Sequence, residues 1–342
     1  MMDRRQFLAG SNALLGFPFA QAQTPSSSVL RPPRLRPGDT IGLIEPASAT
    51  FDPFTISLIE EALANLGLTA KRAPNILDRD GYFAGSDQAR AEGVNAMFAD
   101  PDVAALLSVR GGWGAARILP FLDYDLVRRS PKALIGYSDI TALQLALHAR
   151  AGLISFHGPV GVSAWGEDSL RTFKPLLFEG ATPTYINPLA EEDRLVQTRW
   201  RTQTLTPGRA QGRLLGGNLT VLSTLVGTPY LPSFEGAILF FEDIGEAVYR
   251  VDRMLTQLGQ AGILGRLSGI IVGHCTDCVP SSTYGGFTLS EVLGHHLKPL
   301  GVPAYSGAFI GHLRDQFTLP QGGLIEMDAD QGSFRLLEPA VL

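Results

Sequence analysis

Three residues of the types that form a nucleophilic triad occur at equivalent places in the sequence. Ser138 follows an apolar, strand-like run, Glu242 ends a second such run, and His312 follows a third. These runs cover residues 133–135, 237–241 and 304–310. In open α/β sheets, active sites assemble beyond the carboxyl ends of the strands. A histidine placed there takes the proton of the serine hydroxyl, while the carboxylate orients the imidazole and stabilises its charged form.

The residues around Ser138 favour a nucleophile at this position. Gly136 permits a tight turn before it, and the helix predicted after it directs backbone N–H groups at the serine. The N–H of Asp139 is therefore a candidate donor to an oxyanion formed when Ser138 attacks a carbonyl. Gly112 lies in the loop after the neighbouring strand and is the candidate for the second donor.

Each triad candidate also has an ordinary structural explanation. A serine at a helix N-terminus is commonly a cap, a glutamate at a strand end is commonly solvated or paired with an arginine, and a histidine can cap a loop. Gly136 and Ser138 match the Gly-x-Ser-x-Gly elbow of α/β-hydrolases, but Ile140 stands where the closing glycine belongs. The chain therefore lacks the α/β-hydrolase pattern.

Other motifs indicate neither a cofactor nor a metal. The glycines between residues 111 and 114 have the wrong spacing for a dinucleotide-binding or Walker loop. Cys275 and Cys278 form a single Cys-x-x-Cys, without the second pair that a zinc site needs. A local disulfide and a buried pair of thiols both remain open. His295 and His296 are neighbours on a predicted helix and do not share a face, so we expect them at the surface.

The elements that must position these residues alternate between strands and helices. Apolar runs at 40–44, 103–109 and 133–135 are typical of buried strands, and helical spacing follows at 56–66, 115–121 and 140–150. This alternation predicts a parallel sheet covered by helices, in a domain over residues 38–160. We expect a connecting region with short edge strands over 161–207. A second domain over 208–335 would contain helices at 219–226, 247–258 and 288–297 and strands at 237–241, 269–273 and 304–310.

The composition supports a soluble two-domain chain and excludes several classes of protein. The 342 residues are 45% apolar and 18% charged, with a formal net charge of −5 and no basic run. A nucleic-acid-binding protein would need a cationic face, so no nucleic-acid partner is expected. The two cysteines exclude a disulfide-built scaffold.

The N-terminal segment has the features of an export signal. Arg4 and Arg5 precede a short apolar stretch that ends at Ala20-Gln21-Ala22, as in a twin-arginine signal peptide. We therefore interpret residues 1–22 as a signal and residues 23–37 as a tether. The remainder lacks an apolar run of the ~20 residues that a membrane span needs. The sequence thus predicts a periplasmic product without stable membrane insertion.

With these residues identified, the chain resembles the LD-carboxypeptidase family of serine peptidases, the muramoyl-tetrapeptide carboxypeptidases. The resemblance covers residues 38 to about 330 and rests on several specific stretches. These stretches are 81–86, 110–114, 131–132, 136–141, 215–219, 241–243, 311–312 and 318–320.

The resemblance implies a Rossmann-like N-terminal domain with a parallel sheet and a smaller, β-rich C-terminal α/β domain, usually in a homodimer. It implies a triad of Ser138, Glu242 and His312, an oxyanion hole from the backbone of Gly112 and Asp139, and no metal. The implied reaction removes the terminal D-alanine from a murein tetrapeptide through an acyl-enzyme. Arg110 and Asn218 are candidates for substrate binding, although a structural ion pair is the alternative for Arg110.

Two other functions remain open at this point. The family's recycling enzymes are typically cytoplasmic, whereas this chain carries an export signal, so the substrate can also be intact murein or another peptide. A branch of the family resembles microcin C immunity peptidases, which cleave peptide-like nucleotides. An exported, two-domain peptide-binding protein without catalysis fits the size, charge and signal equally well.

Overall fold

The computed structural model describes residues 29–190, 195–280 and 285–342. The predicted signal at 1–22 therefore lies outside the described residues. The strands of the described part, numbered β1 to β14, are Thr40–Ile44, Thr69–Arg72, Val103–Ser108, Ala133–Gly136, Ser155–His157, Thr184–Tyr185, Gln203–Thr206, Arg209–Asn218, Ile238–Ile244, Gly269–Thr276, Ala304–Ser306, Leu319–Gln321, Leu324–Asp328 and Ser333–Leu336. The α-helices there, numbered α1 to α9, are Pro53–Asn65, Asp87–Ala99, Ala115–Ile118, Tyr124–Arg129, Thr141–Ala151, Glu167–Lys174, Leu219–Thr224, Val248–Gln260 and Leu289–Leu297.

The first sheet has the strand order β12-β5-β4-β3-β1-β2. Strands β1 to β5 pair in parallel, and β12 adds to the β5 edge in antiparallel orientation. All four residues of β4 are buried, as expected for a strand of a parallel sheet that is covered on both faces. The predicted α/β class and the parallel sheet of the N-terminal domain are confirmed.

The second sheet contains eight strands in the order β6-β14-β13-β8-β9-β10-β11-β7. Its centre is parallel, through β8, β9, β10 and β11, while its remaining pairs are antiparallel. Strands β6 and β7, which form its two edges, come from the region predicted to connect the domains with short edge strands. That region also contains α6, which the sequence analysis did not predict.

Strand β12 joins the two halves of the molecule. It follows His312 in the chain, yet it pairs with β5 of the first sheet, with Leu319 opposite His157. Tyr185 of the second sheet donates its hydroxyl to the carbonyl of Thr318, immediately before β12. The C-terminal half of the chain therefore contributes a strand to the N-terminal sheet, and the loop that carries His312 is held at both ends.

Two predicted boundaries need correction. The strand expected over 304–310 ends at Ser306, because Gly307 turns the chain with a φ of +86° and approaches the carbonyl of Arg201 too closely for a side chain. The last part of the predicted tether packs against the protein: Leu35 is 2% exposed and its N–H donates to the carbonyl of Leu177.

No helix within the described ranges combines the length and the apolar character that crossing a bilayer requires.

Candidate active site

The structure brings Ser138, His312 and Glu242 together in one hydrogen-bonded row. Nε2 of His312 lies 3.0 Å from Oγ of Ser138, and Nδ1 lies 2.7 Å from Oε2 of Glu242. The Glu242 side chain is fully buried, while 15% of the His312 side chain is exposed. Because a carboxylate only accepts hydrogen bonds, it fixes the proton of the neutral imidazole on Nδ1. Nε2 is then free to accept the hydroxyl proton of Ser138.

Ser138 occupies a sharp turn between β4 and α5. Its φ is +63°, in the left-handed region that residues other than glycine rarely adopt. Such strained backbone is concentrated at functional sites. Ile140 stands where the hydrolase elbow has a glycine, and its side chain packs over Gly136. A Cβ on Gly136 would lie 3.1 Å from this side chain, so Ile140 would have to move to make room for it. The turn therefore reaches the elbow-like conformation with a different side-chain arrangement.

The loop that contains Gly111 and Gly112 lies against the nucleophile. A Cβ on Gly111 would stand 3.2 Å from Oγ of Ser138 and 3.4 Å from the backbone nitrogen of Asp139. Gly112 has a φ of +112°, and a Cβ there would collide with Ser48. The absence of a side chain at Gly111 lets the loop lie against Ser138 and the N–H of Asp139, and the absence of one at Gly112 lets the same loop lie against Ser48.

Asp139 has a structural task in addition to its candidate backbone role. Its carboxylate accepts a 2.7 Å hydrogen bond from the N–H of Ala115, at the start of α3, and so ties the glycine loop to the nucleophile turn. Burial raises the pKa of Asp139 to about 6, although this hydrogen bond and the Arg90 guanidinium lower it in part.

A buried polar group behind the triad escaped the sequence analysis. His157 on β5 is fully buried, and neither ring nitrogen has a hydrogen-bond partner among the described residues. Burial lowers its pKa to about 4, so the ring is neutral at pH 7. Tyr137 stacks at a tilt on His312, with 4.8 Å between ring centroids, and lies 6.1 Å from the His157 ring. Only the pairing of β5 with β4 and β12 reveals this burial, and that pairing is long-range.

Arg110 and Asn218, the two candidates for substrate binding, differ in how they are engaged. The Nη1 atom of Arg110 donates to the carbonyl of Ala49 at 3.3 Å, and no carboxylate in the described part of the chain lies within ion-pair distance of it. Arg110 therefore makes no direct ion pair there, although desolvation by burial raises the pKa of the Glu45 carboxyl and the Arg110 guanidinium lowers it in part. The side chain of Asn218 is 4% exposed and caps α7 by accepting from the N–H of Val221.

The side chain of Asn218 makes a second hydrogen bond within the protein: its amide nitrogen donates to Oδ1 of Asp243 at 2.9 Å. Both ends of the side chain are thus occupied within the protein. This arrangement corrects the substrate-binding interpretation of Asn218 in favour of a structural one.

Two remaining motifs take definite forms. Cys275 and Cys278 form a disulfide, which resolves the two alternatives left by the sequence. His295 is exposed as expected, but His296 is half-buried and its Nε2 lies 2.6 Å from Oδ1 of Asp252. The prediction that both are surface residues is wrong for His296, because Asp252 of the adjacent helix α8 pairs with it.

Comparison with known proteins relates this fold and site to one family. Two family models match the chain: the LD-carboxypeptidase N-terminal domain over residues 41–158 and the LD-carboxypeptidase C-terminal domain over residues 211–327. The probable murein peptide carboxypeptidase of Bacillus subtilis is 37% identical over 302 residues, which are 87% of this chain and 91% of the relative.

Solved structures show the same similarity. The muramoyltetrapeptide carboxypeptidase from Oxalobacter formigenes superposes with a TM-score of 0.74 at 28% identity, over 87% of this chain and 97% of that one. The MccF protein in complex with glutamyl sulfamoyl guanosine superposes with a TM-score of 0.80 at 26% identity, over 92% of this chain and 100% of that one.

Proposed function

Because this chain belongs to the LD-carboxypeptidase family of serine peptidases, we propose that it releases the terminal D-alanine of murein tetrapeptides through an acyl-enzyme on Ser138. The observation that carries the proposal is the row of hydrogen bonds from the Ser138 hydroxyl through His312 to Glu242. Relatives named as murein peptide and murein tetrapeptide carboxypeptidases indicate the substrate class.

In the first half of the reaction, the Ser138 hydroxyl donates its proton to Nε2 of His312 as Oγ attacks the carbonyl of the bond to D-alanine. The imidazolium that forms is stabilised by the Glu242 carboxylate. The negative charge that develops on the carbonyl oxygen is stabilised by the backbone N–H groups of Asp139 and Gly112. Loss of one such donor typically costs about 3–4 kcal/mol of transition-state stabilisation.

In the second half, His312 returns the proton to the departing amine, and D-alanine leaves. The tripeptide part of the substrate remains as an ester of Ser138. A water molecule then gives a proton to His312 and attacks the ester carbonyl. His312 returns that proton to Oγ of Ser138 as the ester bond breaks, which frees the serine and leaves a new carboxylic acid on the tripeptide, whose proton passes to solvent. The protons move between Ser138, His312, the departing amine and the attacking water, while Glu242 and the backbone donors stabilise charge.

Removal of a terminal residue requires a group that holds the substrate's free carboxylate, and we propose Arg110 for this role. It immediately precedes Gly111, which contacts Ser138, and its Nε is buried without a partner among the described residues. A guanidinium matches a carboxylate with two parallel hydrogen bonds. Arg110→Met is expected to raise KM for the tetrapeptide at least about tenfold, whereas an unchanged KM would exclude the role.

The proposed substrate is tested with a panel of defined compounds. Purified protein is incubated with a murein tetrapeptide, the same peptide ending in L-alanine, and a peptidyl sulfamoyl nucleoside, and products are identified by mass spectrometry. The proposal predicts D-alanine release from the first compound alone. Cleavage of the nucleoside in preference to the tetrapeptide would instead support the activity suggested by the MccF similarity. Saturable binding without any product would support a peptide-binding protein.

We also propose that the chain is exported to the periplasm and acts there on murein or its fragments. The twin arginines Arg4 and Arg5 support export. The Cys275–Cys278 disulfide supports it too, because disulfides form and persist in oxidising compartments such as the periplasm. Cell fractionation is expected to find a periplasmic protein that begins after Ala22, and replacement of both arginines by lysine is expected to retain it in the cytoplasm.

A homodimer, implied by the family, is proposed as the working form. Sedimentation velocity of the purified protein is expected to give about twice the mass of the mature chain. A concentration-independent monomer would exclude it.

A further inference from the structure

The disulfide between Cys275 and Cys278 closes a short loop at the carboxyl end of β10. Strand β10 lies between β9, which carries Glu242, and β11, which leads to His312. Cys275 is paired with Asp243 and Thr276 with Ile244, so the bridged loop lies beside the residues that directly follow Glu242. The N–H of Gly245 donates to the carbonyl of Thr276 at 2.8 Å and extends this pairing.

The same loop holds the segment that carries His312. The Thr276 hydroxyl donates to the backbone carbonyl of His312 at 3.2 Å, and the N–H of His274 donates to the carbonyl of Ile310 at 2.9 Å. These bonds lie on both sides of Gly311. One short loop therefore contacts the strand that carries the carboxylate and the segment that carries the imidazole.

The three segments are closely packed, and two glycines stand at their contacts. A Cβ on Gly311 would lie 3.0 Å from the Glu242 carboxylate and 3.2 Å from the carbonyl of His274. A Cβ on Gly273 would lie 2.7 Å from the carbonyl of Ile310 and 3.2 Å from Cβ of Glu242. With so little space between them, a displacement of the loop at residues 273–276 changes the distance between Glu242 and His312.

We propose that Thr276 is a positioning residue for His312 and that the Cys275–Cys278 disulfide keeps it in place, so that hydrolysis depends on the redox state of this bridge. The inference rests on the proposed function of the triad. A dithiol such as dithiothreitol supplies two electrons and two protons, breaks the S–S bond, leaves two thiols and becomes a cyclic disulfide itself. The loop then loses its covalent closure, and the Thr276 hydroxyl loses its fixed distance from the His312 carbonyl.

The effect is expected in kcat, since His312 and Glu242 act in proton transfer. A displacement of about 1 Å in a catalytic group costs up to about 10²-fold in rate. Reduction is therefore expected to lower kcat between about 10- and 100-fold with KM changed less than about twofold. The chain has only two cysteines, so every effect of the reductant on thiols concerns this bridge.

The test compares oxidised and reduced protein, with the thiol count measured in each preparation and folding checked by circular dichroism. The variant Cys275→Ser/Cys278→Ser is expected to show the lower kcat and no response to dithiothreitol. Thr276→Val is expected to lose about fivefold in kcat, the scale of one hydrogen bond, and Thr276→Ser is expected to recover most of that loss. Thr224→Val, which removes an exposed helical hydroxyl, is the matched control and keeps full activity.

The displacement of the His312 segment can also be measured without a substrate, as the rate of backbone amide hydrogen exchange of residues 307–313. This rate is expected to become at least about tenfold faster on reduction. Equal kcat and equal exchange in both redox states would overturn the proposal, as would a change confined to KM or a global unfolding on reduction. If the oxidised wild type hydrolyses no tetrapeptide, the proposed function fails, and the exchange rates still decide whether the bridge holds the His312 segment.

Discussion

Replacement of Glu242 by glutamine removes one charge from the row of hydrogen bonds and preserves its shape. Oε2 lies 2.7 Å from Nδ1 of His312, and the side chain is fully buried, so water does not screen the interaction. Two unit charges about 4 Å apart interact by about 4 kcal/mol at the effective dielectric constant of proteins. The variant loses this stabilisation of the imidazolium in the transition state, which corresponds to about 10³-fold in rate.

A second effect adds to this loss. The amide of glutamine can donate to Nδ1 of His312, which moves the ring proton to Nε2, where it faces Ser138. In that tautomer the ring cannot accept the hydroxyl proton. We therefore expect Glu242→Gln to lower kcat for D-alanine release by about 10³- to 10⁴-fold, with little change in KM. The free energy of unfolding is expected to stay equal or rise, because the variant no longer buries a charge.

The assay follows D-alanine by mass spectrometry under saturating tetrapeptide, with urea unfolding measured on the same preparation. Glu235→Gln is the control, since Glu235 is exposed and lies 4.0 Å from Arg266 at the surface. A loss of less than about tenfold for Glu242→Gln, with the fold intact, would show that the carboxylate does not serve the imidazole and would refute the reasoning.

Three further variants test the surroundings of the triad. Gly111→Ala places a Cβ 3.2 Å from Oγ of Ser138 and, by displacing the nucleophile, is expected to lower kcat about 10²-fold with unfolding unchanged; full activity would contradict the close packing of the glycine loop against Ser138. Burial lowers the pKa of His157 to about 4 in the folded protein, against 6.5 in the unfolded chain. Below pH 6.5 the unfolded chain therefore binds a proton that the folded protein does not. The stability contributed above pH 6.5 by the neutral ring, about 3 kcal/mol, is lost as the pH falls to 4. Urea unfolding of wild type and His157→Gln should show that difference shrinking over this pH range, and a constant difference would contradict it. Asn218→Ala removes the cap on Val221 and is expected to cost about 1 kcal/mol of stability without changing KM; a raised KM with unchanged stability would restore the substrate-binding interpretation.

The sequence predicted Ser138, Glu242 and His312 as one site from the rule that active sites lie beyond the carboxyl ends of parallel strands, although β4 belongs to the first sheet and β9 and β11 belong to the second. That rule needs only the local pattern of an apolar run followed by a polar residue. It does not need the order of the strands. The same local signals located β1, β3, β4, β9 and β10, whose residues alternate little and are buried on both faces.

Long-range pairing explains most of what the sequence did not predict. Strand β12 is three residues long and stands far from β5 in the chain, so no local pattern assigns it to the first sheet. The burial of His157 depends on that pairing. The early end of β11 depends on the contact of Gly307 with Arg201, more than 100 positions earlier in the chain. The pairing of His296 with Asp252 likewise joins two helices.

The disulfide shows a different limit of prediction from the sequence. The Cys-x-x-Cys spacing is compatible with a bridge and with two thiols, and only the backbone conformation at the end of β10 decides between them. The backbone conformation that allows the disulfide also places Thr276 beside His312, and no sequence motif predicts this contact.

The role of Ser138 is tested most directly by comparing kcat for D-alanine release by the wild type and by Ser138→Ala, in preparations with the same circular dichroism spectrum. Because nucleophile, base and carboxylate act as one unit, kcat is expected to fall at least about 10⁴-fold. Release within tenfold of the wild-type rate by the folded variant would contradict the assignment of Ser138 as the nucleophile.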